Sequence, residues 1–215
     1  MHARQILITA LLLLLFTVLG TALVAFTYNN TRSVIEANAR ANLLQNLHAM
    51  IPPERHDNDL LNDSLEVTNP DLLGTDAPVT IYRARKDGQP VAIVLAPVAP
   101  DGYSGNIKLL VAINADGTLA GVRVTAHRET PGLGDAIEAA RSDWILKFTG
   151  RSLADPDEKL WAVKKDGGVY DQFTGATITP RAVVKAVKKA LIYFQHNRQT
   201  LFADALPPTA EATAP

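Results

Sequence analysis

The chain contains no cysteine. That excludes thiolate-held iron–sulfur clusters, a thiol nucleophile and any disulfide. A domain of this size folds without disulfides, so the absence leaves the compartment open. Redox chemistry, if present, falls to an organic cofactor or to a metal held by nitrogen and oxygen. Excess charge is lacking too: 21 Lys and Arg face 22 Asp and Glu, a formal net charge of -1. Such a balance gives no basic stripe, so nucleic acid is not an expected partner. Of the histidines, His2, His48, His56 and His196 show no metal-ligand spacing. No nucleophile elbow and no Walker pattern occur, and Gly167-Gly168 reads as a turn.

Charge is also missing locally. From Gln5 to Thr31 there is no Asp, Glu, Lys, Arg or His, and Ile6 to Val18 is almost unbroken apolar sequence. Roughly 20 apolar residues cross a bilayer core, so residues 5–27 read as a transmembrane helix with residues 1–4 as a cytoplasmic tail. A signal peptide has a shorter apolar region, about 7–15 residues, and a buried core helix would carry more polarity. Arg4 precedes the span and Arg32 and Arg40 follow it, so loop charge barely sets orientation. A short tail before a large domain stays cytoplasmic, which places the bulk of the chain on the periplasmic side of a cell inner membrane.

The remaining length suits one domain. Residues 31–50 read as a helix, with Val34, Ala37, Ala41, Leu44 and Leu47 at helical spacing and Pro52-Pro53 as its stop. Residues 28–78 form a helical and loop connector. Strands are expected at 79–85 and 91–98, joined across Asp87-Gly88, and at 107–114 and 118–126, joined across Asp116-Gly117. Residues 135–148 read as a helix with Ile137, Ala140, Trp144 and Phe148 on one face, and 160–164 as a short strand. The last helix has Thr179 as N-cap, Pro180 at its first position and Val183, Val184, Val187, Leu191 and Phe194 as its buried stripe. Lys185, Lys188 and Lys189 form a solvated face. Residues 207–215, rich in Pro, Ala and Thr, read as a disordered tail. The pattern predicts an α+β fold: an antiparallel sheet of hairpins with packed helices, preceded by one transmembrane helix.

The chemistry concentrates in Asp171-Gln172-Phe173-Thr174-Gly175-Ala176-Thr177-Ile178-Thr179-Pro180. A glycine-containing loop delivers hydroxyls to a helix start, where free N–H groups and the dipole favour an anion. On physics alone an ordinary capped helix start is the simpler reading. Likewise His127 and Glu129 alone read as a loop ion pair. Tyr103, Trp144 and Trp161 read as ordinary core aromatics before they read as ligand contacts.

Asp171, Thr174, Gly175, Ala176 and Thr177 together match the pattern D-x-x-[S/T]-G-A-T and resemble the flavinylation motif of the FMN-binding domain family. His127-Arg128-Glu129-Thr130-Pro131-Gly132-Leu133-Gly134 resembles that family's H-x-E-T-P-G-L-G loop, and Gly102 to Ile107 its G-Y-x-G-x-I segment. The order of apolar span, hairpins, loop and acceptor helix agrees over nearly the whole chain. The resemblance is strongest to the Rnf (Rsx) branch; the C subunits of sodium-pumping NADH:quinone reductases are generally longer and rank second. The resemblance implies FMN esterified through its phosphate to Thr177 by a separate flavin transferase that uses FAD and Mg²⁺. It implies flavin contacts from Thr174, Gly175, Ala176, Thr179, Asp171, His127, Glu129, Thr130, Gly132 and Leu133. It further implies an electron-transfer subunit coupling ferredoxin:NAD⁺ electron transfer to ion translocation, with membrane and iron–sulfur subunits as partners. A flavoprotein of another membrane reductase, or an anchored module without redox function, remains as the alternative.

Overall fold

Helix α1 runs without a break over His2–Met50, 49 residues. In the computed structural model, which describes residues 2–203, the chain divides into two compact units, one ending at Gln45 and the other beginning at Asn46. Within the first unit α1 is long and apolar enough to cross a membrane, with a mean hydropathy of 2.6 over its most apolar window. From residue 3 to residue 42 its side chains are exposed on every face, as suits a helix whose solvent is lipid. Thr9, Thr17, Thr27 and Thr31 fold their hydroxyls back onto the carbonyls of Gln5, Leu13, Leu23 and Thr27. These four hydroxyls are thereby satisfied inside their own helix, as the bilayer interior demands. Arg32 pairs with Glu36 one turn on. Of the stripe expected in 31–50, Val34, Ala37 and Ala41 are exposed and only Leu47 is fully buried.

The second unit is built on a six-stranded antiparallel sheet. Its strands are β1 (Ser64–Val67), β2 (Val79–Lys86), β3 (Gln89–Leu95), β4 (Val98–Gly102), β5 (Gly105–Asn114) and β6 (Leu119–Ala126). The β2–β3 turn places Asp87 at φ 51° and Gly88 at 72°, the left-handed pair that a tight two-residue hairpin requires. Strand β5 is the centre. Strand β6 lines one of its edges from Lys108 to Ile113, and the other edge is shared: β3 takes Val111 to Asn114 and β4 takes Gly105 to Lys108. Both faces of β5 are covered, so its burial runs from Leu109 to Ile113 without alternation.

One face carries the main core. Ile81, Ile93, Leu95, Leu109, Val111, Ile113 and Val122 pack with the buried side of helix α3 (Ile178–Phe202), which follows the short helix α2 (Pro70–Leu73) in chain order. The expected stripe Val183, Val184, Val187, Leu191 and Phe194 is buried throughout. The C-terminal carbonyls of α3 are held by two arginines of β2: Arg83 Nη1 donates to Ala203 O at 2.7 Å and Arg85 Nη2 to Phe202 O at 3.1 Å. Cations there complement the helix dipole. On the opposite face the end of α1 approaches the sheet so closely that a Cβ at Gly121 would lie 2.9 Å from Met50 Cγ. Residues 46–78, expected in the connector, thus belong to the folded unit: Leu47, Met50, Ile51, Leu60, Leu65 and Leu73 are buried in it.

Three expected elements differ. Residues 135–148 are not one helix but two 3₁₀ segments, Gly134–Ile137 and Asp143–Phe148. Glu138 turns extended, and Ser142 restarts the chain by donating its hydroxyl to Ala136 O and accepting from Trp144 N–H. Ile137, Trp144 and Phe148 are buried as expected, whereas Ala140 is exposed. At 160–164 a 3₁₀ turn over Glu158–Leu160 and a single bridge from Val163 to Tyr170 replace the strand. The strand at 91–98 ends at Leu95, and Val98 opens β4. The expected tail at 207–215 lies outside the described residues.

Candidate functional site

The turn Phe173-Thr174-Gly175-Ala176 leads into α3. Ala176 N–H donates to Phe173 O at 3.1 Å, and Gly175 sits at φ 78°, a conformation that favours glycine. Thr177 then takes the N-cap position that was expected of Thr179, with φ -73° and ψ -27°. The residue is half-buried, and its hydroxyl makes no hydrogen bond among the described residues. Pro180 is the third helical residue, not the first, and contributes no N–H; Arg181 N–H donates to Thr177 O. The free donors at the head of this 25-residue helix are therefore the backbone N–H groups of the first turn. They give an anion a place beside the unbonded hydroxyl.

Thr179 does something else. It is 1% exposed, and its hydroxyl donates to Glu129 Oε2. Glu129 is itself buried, at 4% exposure, and accepts two more bonds, from Ser104 N–H at 2.9 Å and Tyr103 N–H at 3.3 Å. So the 127–134 loop, the tip between β4 and β5, and the start of α3 meet on one carboxylate.

These three segments enclose a cleft of about 320 Å³, within the range of small-molecule sites. Of the expected site residues, Gly175, Ala176, Thr177, Thr179, Glu129, Thr130 and Leu133 line it. Tyr103, Gly134 and Ile178 join them. Tyr103 was expected in the core; it is 68% exposed at the hairpin tip, where it forms a wall of the cleft. Trp144 and Trp161 are buried as expected. The cleft therefore offers a hydroxyl, helix N–H groups and apolar surface from Tyr103, Leu133 and Ile178. That donor set fits a phosphorylated aromatic group.

Asp171, Thr174, His127 and Gly132 are not among the lining residues. His127 lines a separate cavity, of about 530 Å³, alongside Arg123 and Glu138. Its Nδ1 accepts from Glu129 N–H at 3.0 Å, so the proton sits on Nε2, which donates to Glu138 Oε1 at 2.6 Å. His127 and Glu129 are consequently not the ion pair that the residues alone allowed. Asp171 anchors the start of the acceptor loop. Lys147 Nζ lies 2.7 Å from one of its oxygens and Lys164 Nζ 2.5 Å from the other. Hydrogen bonds from those two lysines lower its pKa from 3.8 to about 2. The Asp171 carbonyl accepts from Trp144 Nε1 at 2.7 Å, and Phe173 meets the Trp144 ring edge-on at 5.2 Å. Lys147 and Lys164 carry no local signal in the sequence, since each lies in a 3₁₀ segment outside the loop that it clamps.

The FMN-binding domain family matches residues 102–192, which contain the whole cleft, and the RnfG N-terminal region matches residues 1–50. The class is thus an FMN-binding domain carried on a single apolar helix. The G subunit of the ion-translocating oxidoreductase complex of Shewanella loihica is 52% identical over 198 residues, covering 92% of this chain and 93% of that protein. Its counterpart in Pseudomonas aeruginosa is 52% identical over 200 residues (93% and 94%), and that in Vibrio cholerae 50% over 191 (89% and 91%). The chain belongs to this G-subunit family of ion-translocating oxidoreductase complexes.

Proposed function

We propose that this chain is the FMN-carrying electron-transfer subunit of an ion-translocating oxidoreductase, with FMN esterified through its phosphate to Thr177. It is a redox subunit, not a complete enzyme alone. The supporting observation is the Thr177 hydroxyl: unbonded, at a helix N-terminus, on the wall of a cleft. In the reaction that the family resemblance implies, a flavin transferase delivers the FMN half of FAD. The Thr177 oxygen forms a new bond to phosphorus, the bond from that phosphorus to AMP breaks, and the hydroxyl proton leaves with AMP.

Covalency answers an energetic problem. A helix N-terminus stabilises an anion by about 0.3–1 kcal/mol, up to ~2 when partly buried. That is a factor of roughly 30 at most in affinity, too little to retain FMN by itself. The bound group supplies one- and two-electron chemistry. The chain's own residues hold its phosphate at the α3 N-terminus, flank it with Tyr103, Leu133 and Ile178, and keep Asp171 clamped so that the acceptor loop stays in register. The family resemblance assigns ferredoxin and NAD⁺ chemistry to other membrane and iron–sulfur subunits. The folded unit works on the periplasmic side, with α1 as the single span.

Coexpression with a flavin transferase tests the reading: the chain runs as a fluorescent band on a denaturing gel, and Thr177→Ala removes the fluorescence. A fluorescent Thr177→Ala band rules out this acceptor.

A further inference from the structure

We infer that Glu129 is a positioning residue for the flavin cleft, a clasp joining the acceptor helix to the β4–β5 tip through Thr179. The inference rests on the flavin reading for its consequence but not for its geometry. Three donors from two segments converge on this buried carboxylate: Ser104 N–H, Tyr103 N–H and the Thr179 hydroxyl. No cation pairs with it among the described residues, so those donors alone replace its water shell. The surrounding backbone is cut to fit. A Cβ at Gly134 would lie 2.9 Å from Glu129 Cβ and 3.0 Å from Thr179 Oγ1. A Cβ at Gly102 would lie 2.2 Å from Gly105 O and 3.0 Å from Glu129 Oε1. Two glycines from different elements therefore clear the space that one carboxylate fills.

The clasp fixes the cleft because its partners are the cleft's walls. Tyr103 stands on the tip that Glu129 holds, and Thr177 stands two residues before the threonine that Glu129 holds. His127 sets the clasp from behind by accepting the Glu129 N–H on Nδ1. The hydrogen bonds thus run from Glu138 through the His127 ring to the Glu129 backbone, and from the Glu129 side chain to both walls. The residue acts on the flavin through the wall spacing, without needing to touch it.

The test uses the full-length chain in detergent. In a Thr177→Ala background, which carries no flavin under the reading above, amide exchange at Tyr103 and Ser104 is measured for Thr179→Val, Thr179→Ser and Glu129→Gln. Loss of one bond from the set speeds exchange by roughly tenfold in Thr179→Val and Glu129→Gln. Thr179→Ser keeps the donor and matches its parent. On the Thr177-containing chain matured with the transferase, flavin fluorescence anisotropy falls in Thr179→Val and Glu129→Gln and is restored in Thr179→Ser. Unchanged exchange in both Thr179→Val and Glu129→Gln overturns the clasp, as does unchanged anisotropy. If Thr179→Val does not fold, Glu129→Gln decides by the same criteria. Absence of FMN from the matured chain sinks the flavin reading instead and leaves the exchange result standing.

Discussion

Thr177 and Thr179 stand two residues apart at the head of α3, and their hydroxyls have opposite fates: that of Thr179 is buried against Glu129, that of Thr177 is bound to nothing among the described residues. The pair separates structure from chemistry. Thr177→Ala removes no hydrogen bond, so unfolding stability stays within about 0.5 kcal/mol of the parent. Thr179→Ala leaves a buried carboxylate short of a donor and costs about 1–3 kcal/mol. Urea unfolding of both variants in unflavinylated full-length protein checks the contrast; equal losses contradict it.

The Asp171 clamp is a pH-dependent element. Its folded pKa is depressed from 3.8 to about 2 by Lys147 and Lys164. A depressed carboxylate contributes stability above its unfolded pKa and loses it as pH falls through the folded one. The Asp171 side chain is 40% exposed, so solvent screening holds the contribution below about 1 kcal/mol. The stability gap between wild type and Asp171→Asn is therefore full near neutral pH and closes between about pH 4 and about pH 2. Added salt narrows it at neutral pH. A gap that widens on acidification contradicts the clamp.

Gly175 and Gly134 fail differently when given a side chain. At Gly175 a Cβ has room, 3.6 Å from Leu133 Cδ2, but the backbone is left-handed at φ 78°. Gly175→Ala then costs about 1–2 kcal/mol of conformational strain. At Gly134 the backbone is ordinary and the space is not, because Glu129 Cβ would lie 2.9 Å away. Gly134→Ala displaces Glu129 and costs about 1–3 kcal/mol. Denaturant midpoints give both costs, and amide exchange at Ser104 tells them apart: it rises in Gly134→Ala only.

Much of this arrangement was legible in the residues. The Asp87-Gly88 and Asp116-Gly117 turns between apolar runs mark both hairpins, and the α3 stripe marks the helix that covers the sheet. Residues 135–148 show the limit. Apolar spacing picks out Ile137, Trp144 and Phe148, which are buried, but also Ala140, which is not; it does not say how the chain between them turns, where the Ser142 hydroxyl bonds Ala136 O and Trp144 N–H. Strand β4 was not foreseen: the strand expected at 91–98 breaks after Leu95, and Val98 to Gly102 turns to lie beside β5. At the site, two threonines of equal capping ability preceded the same helix. The choice between them is made by Glu129, 50 residues earlier in the chain than Thr179, and no local pattern records it. His127 is missing from the cleft lining for a similar reason: its two ring nitrogens are taken by Glu138 and by the Glu129 N–H.

The measurement closest to the central claim is intact mass with peptide mapping of the native protein taken from its own membrane. The account predicts one FMN phosphoester on the peptide spanning 171–179, with fragment ions placing it on Thr177. An unmodified polypeptide mass, or an adduct on Thr174 or Thr179, contradicts it.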